Sequence, residues 1–393
     1  MALPSGAALL PAERRVVLSL AAIYATRLLG LFLLLPVLAL YTGSLPGGTP
    51  LLAGIAVGAY GLAQAVMQIP FGAWSDRIGR RPLIIIGLVL HIAGSALGAF
   101  AGTAWSVIAA RIVQGLGAVS GPVMALLADL TRPVSRTRAM FVIGISIGAS
   151  FVLSLVAGPL LAGAIGVSGV FVLIGALGVL ALGIVLFALP AEAPRRERAV
   201  PRRSWRSVLT RALAPYYAGV FMLHFALTAT FIAVPHALRD LHGIAAARHW
   251  LVYLAVFAAS IALTIPLVLW SERNRSGRAM QAGGWLLAAS LVALIATLAD
   301  LRWLGASLAL FFGAFNFLEA RLPAGLTETA GEESRGAALG VFATCQFAGA
   351  FAGGLIGGAL QGTPAAGHAI FMAGAAVAFA WLPFARRAAG VSA

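Results

Sequence analysis

Four side chains carry charge or exchange protons inside otherwise apolar stretches: Arg27, Arg111, His224 and Glu319. A carboxyl and an imidazole can load and release a proton as their surroundings change. Burial raises a carboxyl pKa and a neighbouring arginine lowers it. An arginine stays charged, so it binds an anion or biases a nearby titration. Ionisable groups at bilayer depth cost ~2.5–3.5 kcal/mol or more, so they are functional candidates by default. Glu319 is the expected proton carrier, because its short side chain cannot reach water from mid-membrane. Asn316 shares its helix face, whereas Arg321 points elsewhere and is expected to reach the cytoplasm. Arg27 and Arg111 have a structural alternative, snorkelling or pairing, and His224 has one as a packing histidine.

Such residues matter only if the stretches around them cross a membrane. The chain has 393 residues, 61% hydrophobic and 10% charged. That is too little charge to cover a soluble domain of this size. Twelve windows are long enough to span: 16–41, 51–73, 82–101, 104–129, 139–163, 167–189, 213–236, 249–270, 279–299, 303–325, 336–360 and 366–385. They lack the alternation of a transmembrane barrel. The expectation is an all-α integral membrane protein of twelve transmembrane helices. Arg14 and Arg15 precede the first window and mark it as a signal anchor.

All 27 basic residues are arginine, and the net charge is +15. Twenty-one of them fall on one side of the twelve-span map, while Arg239, Arg248 and Arg302 fall on the other. This is a positive-inside pattern, which predicts both termini in the cytoplasm and argues against nucleic-acid binding. The single cysteine, Cys345, excludes an intrachain disulfide. No metal or cofactor is expected.

The polar stretch 190–212 divides the chain into residues 1–189 and 213–393, six spans each. The halves echo one another. "WSDR" at Trp74–Arg77 returns as "WSER" at Trp270–Arg273; Pro36 matches Pro235, and Arg136 matches Arg335. Two pseudo-symmetric six-helix bundles joined by a cytoplasmic linker are therefore expected.

The short turn "GAWSDRIGRRP", Gly72–Pro82, carries more than a topology signal needs. Its arginines alone would orient the chain; Asp76, Gly72 and Gly79 would then be idle. The turn resembles the G-x-x-x-D-R-x-G-R-[RK] signature of the major facilitator superfamily. "RIVQGLGA", Arg111–Ala118, resembles the superfamily's R-x-x-Q-G-x-G-A motif. "GASFVLSLVAGPLLAG", Gly148–Gly163, is similar to the Gly-Pro motif of drug:proton antiporters, with Ala162 in place of a glycine. "RLLGLFLLLPVLALY" and "FNFLEARLPA" look more narrowly like the YajR-like branch of those proteins.

The resemblance implies a fold, a mechanism and roles. Spans one, four, seven and ten, which hold Arg27, Arg111, His224 and Glu319, would line a central cavity. Asp76, Arg77, Gly79, Arg80 and Asp129 would form a conformational switch, with Arg80 bridging Asp76 and Asp129 and Asp76 near the start of span eleven. Gln64, Gln68, Phe221, Phe225, Asn316 and Gln346 are expected in the substrate cavity. Gly72, Gly148, Gly158 and Pro159 are expected to pack helices. The implied activity is proton-coupled efflux of a small amphipathic or organic-anion substrate across a bacterial inner membrane, by a monomer with no partner beyond substrate, protons and lipid. A uniporter or importer on the same fold is the alternative, and a non-transporting sensor is one from another class. An intramembrane enzyme would need a nucleophile–base or metal constellation, and the sequence holds no HExxH and no P-loop.

Overall fold

The computed structural model describes residues 9–189, 205–273 and 278–390. The expected linker 190–212 lies outside them up to residue 204, as do residues 274–277 of the second-half turn. The described residues form thirteen α-helices and no strand. The first half holds α1 (Pro11–Phe32), α2 (Leu38–Ser44), α3 (Pro50–Ile78), α4 (Arg80–Ala99), α5 (Ala104–Leu116), α6 (Ser120–Leu130) and α7 (Arg136–Gly183). The second holds α8 (Ala214–Asp240), α9 (His249–Arg273), α10 (Arg278–Thr297), α11 (Leu301–Ala330), α12 (Arg335–Gln361) and α13 (Ala366–Gly390).

Helices dominate because a backbone in oil must satisfy its own hydrogen bonds. Side-chain caps start three of them at the Arg-poor end. Thr49 accepts from Leu52 N at 3.2 Å, Thr103 exchanges bonds with Ser106, and Asp300 accepts from the Arg302 and Trp303 amides. Gly79, at φ 124°, is the entire connection between α3 and α4. A glycine turn was expected there.

Eleven helical segments are long and apolar enough to cross a membrane. One of them, Pro133–Ala188, is two spans. Gly166 breaks it at φ 71°, ψ 165°, and the chain doubles back. Ser150 Oγ reaches Ala25 O of α1 at 3.4 Å on the way out. Leu186 O receives Arg81 at the Arg-rich end on the way home, 2.8 Å from its Nη2. The twelve expected spans are thus present, in the two-bundle arrangement.

Two spans are interrupted, span four at mid-depth and span one nearer its Arg-poor end. Span one gives way to tight turns at residues 33–37, where Leu35 N and Val37 N bond three residues back and Pro36 removes a donor. Its sequence counterpart Pro235 sits inside the unbroken α8, so the repeat is not kept here. Span four breaks at Gly117 (φ −75°, ψ 67°) into α5 and α6.

The halves meet on a glycine seam toward the Arg-poor face. A Cβ on Gly54 of α3 would stand 2.5 Å from Gly358 Cα of α12, and closer still to the Gly354 carbonyl oxygen. Small residues let backbones approach this closely where hydrophobic attraction between helices is missing. Phe151 of α7 packs on Phe257 and Phe312 of the other half, centroids 5.4 and 6.5 Å away. Toward the Arg-rich ends the halves part. Phe141 is 68% exposed, and a Cβ on Gly72, Gly148, Gly336 or Gly340 would meet nothing within 4 Å. We read the gap this leaves between the halves as a vestibule open toward the Arg-rich face.

Candidate functional site

The second half assembles a polar triad from three helices. α8 contributes His224, α11 Glu319 and α12 Gln346. His224 Nδ1 lies 3.2 Å from Val220 O, a carbonyl that can only accept, so this nitrogen carries the hydrogen. His224 Nε2 faces Gln346 Nε2 at 2.8 Å, and with the amide so placed it is the acceptor of that bond. The same amide reaches Glu319 Oε1 at 3.4 Å, and Glu319 Oε2 stands 3.9 Å from His224 Nε2 without a hydrogen bond. Turning the amide over would put its oxygen on the ring, the arrangement a protonated imidazole needs. The Glu319 side chain is 39% exposed, with Oε2 its buried atom and the rest toward the gap between the halves. Phe315 covers the imidazole edge-on at 5.7 Å, and Asn316 lies half-buried one turn before Glu319.

The first half assembles the arginines, and it places them differently from the cavity lining expected. Arg111 is 2% exposed and Arg27 is 5% exposed; both lie inside the bundle. Tyr60 of α3 stands between them, with Arg111 4.8 Å and Arg27 5.9 Å from its ring centre, close enough for cation–π attraction. Arg111 Nη1 donates to Gln114 Oε1 at 2.8 Å, and Gln114 Nε2 donates to Ser95 Oγ at 2.9 Å. Arg27 Nη2 donates to the Gly117 carbonyl at the break in span four, and Nη1 reaches Ser120 Oγ at 3.4 Å. A cation at a helix C-terminus is favourable, and here it also satisfies a carbonyl that the break sets free.

Other expected positions fall as follows. Gln64 is fully buried and donates to Tyr60 Oη at 3.1 Å; Gln68 is also buried. Neither lines the open vestibule. Phe221 and Phe225 present their backbones to Gly349 and Gly353, which makes them part of the α8–α12 seam. A Cβ on Gly158, beside Pro159, would strike Leu33 O, whereas Gly72 and Gly148 have open space in this conformation. Arg80 pairs with Asp76, bonds Ser75 Oγ at 2.7 Å and reaches Asp129 Oδ2 at 3.4 Å. All of these groups belong to the first half. Arg77 is exposed beside them.

Several residues went unsingled in the sequence. His91 is 1% exposed with neither ring nitrogen bonded, under the fields of Arg27 and Arg111. The criterion that selected His224, an ionisable group in an apolar window, would have found it. Tyr60 had a weaker signal, its four-residue spacing from Gln64. Tyr24 feels both Arg27 and, from the other half, Glu319. Glu13 accepts from Arg132 N at 2.8 Å, Arg132 Nε at 3.0 Å, Ser135 Oγ at 2.9 Å and Leu10 N at 2.9 Å, tying α1 to the loop after α6. Its carboxylate holds the Arg132 guanidinium above the ordinary arginine value.

Comparison with known proteins supplies the family. Residues 20–354 match the model of the Major Facilitator Superfamily. The chain is 38% identical over 378 residues to the inner membrane transport protein YajR of Escherichia coli K12, covering 95% of this chain and 83% of that one. It is 30% identical over 253 residues to the multidrug resistance protein MdtH of Yersinia pestis, covering 63% of this chain and 62% of that one. Among solved structures, the human organic anion transporter MFSD10 (TETRAN) superposes with a TM-score of 0.69 at 18% identity, covering 96% of this chain and all of that one. This chain belongs to the Major Facilitator Superfamily and is a multi-pass membrane transporter of that family.

Proposed function

We propose that this transporter couples proton movement to the export of a small amphipathic or organic-anion substrate, by rocking its two halves about the vestibule. Glu319 carries the proton, and His224 and Gln346 set its hydrogen bonding. Arg27 and Arg111, buried inside the first half, hold a fixed positive field behind the opposite wall. The observation that supports this most is the triad: a carboxylate toward the gap between the halves, with an imidazole 3.9 Å away and an amide able to serve either protonation state. The positive-inside pattern supports cytoplasmic termini, and on that reading the vestibule described here faces inward. The turn built from Asp76, Arg77, Gly79, Arg80 and Asp129 is the switch that reorganises when the inner ends close. The chain acts as a monomer in a bacterial inner membrane. YajR supports the membrane assignment and the name of MdtH supports efflux.

The test is proton flux. Reconstituted in liposomes with a trapped pH dye, the wild type should move protons when a transported compound is added against a pH gradient. Glu319→Gln should abolish that flux while the protein stays folded. Unchanged flux in Glu319→Gln would move the proton to another group.

A further inference from the structure

A groove runs between α9 and α11 of the second half, away from the vestibule. It encloses about 430 Å³ and is lined by Leu251, Ala255 and Ala259 from α9 and by Gly305, Ala306 and Ala309 from α11. Small side chains leave the space open: a Cβ on Gly305 would meet nothing within 4 Å. Tyr253 and Phe257 bury the opposite face of α9 in the core. Leu251 and Leu254 are 52% and 46% exposed, so the groove side of this helix turns to the hydrocarbon.

The groove has a length and a polarity. It starts at Arg302, at the Arg-poor end, and reaches Ala309. That stretch of helix rises about 11 Å, most of the ~15 Å of hydrocarbon in one leaflet. Every lining residue is apolar except Arg302, at the outer mouth. Trp303 beside it is 65% exposed, at the level where tryptophans favour the head-group region. The positive charge at this mouth is unmatched. Arg239 on the same face pairs with Asp240. Arg302, and Arg248 three residues before Leu251, are exposed and make no ion pair among the described residues. Asp300 is the acid next to Arg302 in sequence, and its Oδ1 accepts from the Arg302 and Trp303 amides.

We propose that this groove holds one anionic phospholipid from the leaflet at the Arg-poor face, its phosphate on Arg302 and one acyl chain lying along the groove to Ala309. A zwitterionic lipid offers the same chain, but its own cation offsets the attraction to arginine. A second copy of this chain fits less well. It would have to bring an acid to Arg302, and the acids of the Arg-poor face are Asp240, held by Arg239, and Asp300, held by backbone amides. The site is separate from the polar triad and goes beyond the transport reading.

The test is quenching by brominated lipid, on the full chain in phosphatidylcholine nanodiscs. In a Cys345→Ser background, Leu254→Cys carries a bimane label beside the groove. Val172→Cys, at a 61% exposed position of α7 toward the Arg-poor face, carries it at a lipid-facing site outside the groove. The probes are phosphatidylglycerol and phosphatidylcholine with the same brominated chains, each added as the same small fraction of the lipid. At Leu254 phosphatidylglycerol should quench about fivefold more effectively, the worth of one arginine near an anionic head group. At Val172 the two lipids should act alike. Arg302→Gln should make them alike at Leu254 too. Gly305→Leu places a side chain where there is room for it, so the protein should keep its melting temperature, and the filled groove should lose the preference. Equal quenching by the two lipids at Leu254, an equal preference at Val172, or a preference that survives in either variant would each overturn the proposal. Quenching at Leu254 by neither lipid, in nanodiscs that hold two copies, would overturn it as well and assign the groove to a second copy. None of these readings depends on proton flux, so this proposal and the transport reading can fail separately.

Discussion

Gly54→Ala should push the transporter out of the conformation described here. Gly54 faces backbone only: a methyl group there would stand 2.5 Å from Gly358 Cα, where ordinary contact begins near 3.4 Å. Neither neighbour is a flexible side chain that can swing aside, so α3 and α12 must part by about 1 Å. Overpacking of this kind costs ~1–3 kcal/mol. The cost falls on the state in which the seam is closed and not on one in which it is open. The open population should therefore rise ~5–150-fold. Ala53, one residue earlier, is 3% exposed and lines a cavity of about 300 Å³ with Pro50, His236 and Gln361 at the same interface. In a Cys345→Ser background, Ala53→Cys labelled by a membrane-impermeant maleimide from the Arg-poor side reports the seam opening. The labelling rate should climb by that factor when Gly54→Ala is added. An unchanged rate, in a protein that elutes as folded, would mean that the seam does not separate during the cycle.

Three further outcomes follow from the same geometry. Glu319→Gln should remove the pH-gradient dependence of substrate movement while leaving pH-independent counterflow, measured in liposomes. Gly79→Ala forces a side chain into φ 124° at the one-residue turn between α3 and α4. It should cost ~1–3 kcal/mol, read as a lower melting temperature in detergent. Trp381→Phe loses the bond from Nε1 to Pro215 O, 2.8 Å long and buried between α13 and the start of α8. The expected loss is ~0.6 kcal/mol, seen as a small drop in melting temperature with transport intact.

The spans and the pairing of halves were legible because both are written in local composition: apolar length, and arginine at alternate ends. The triad was legible in part. Glu319, His224 and Gln346 each stood out as polar groups in oil, and the fold puts them together. Their separations were not legible, because α8, α11 and α12 meet through glycines whose register depends on all three helices. The burial of Arg27 and Arg111 was missed for a related reason. Both sit on spans that line the cavity, yet the face each presents depends on where the helix breaks. Gly117 reads as one more motif glycine until Arg27 is seen bonded to its carbonyl. Pro36 and Pro235 matched in sequence, but only Pro36 lies in an interrupted span. A proline frees a carbonyl without deciding whether the neighbours let the helix continue.

The most direct measurement takes inter-half distances at both ends of one molecule. Spin-label pairs at Ser44 and Leu241, on the Arg-poor face, and at Val134 and Glu332, on the Arg-rich face, sit on exposed positions. Read in nanodiscs over an acid-to-alkaline pH series, the two distances should change in opposite directions, and Glu319→Gln should hold both at one value through the same series. Distances that change together, or a pH response that survives in Glu319→Gln, would contradict a proton-driven exchange of access built on this carboxylate.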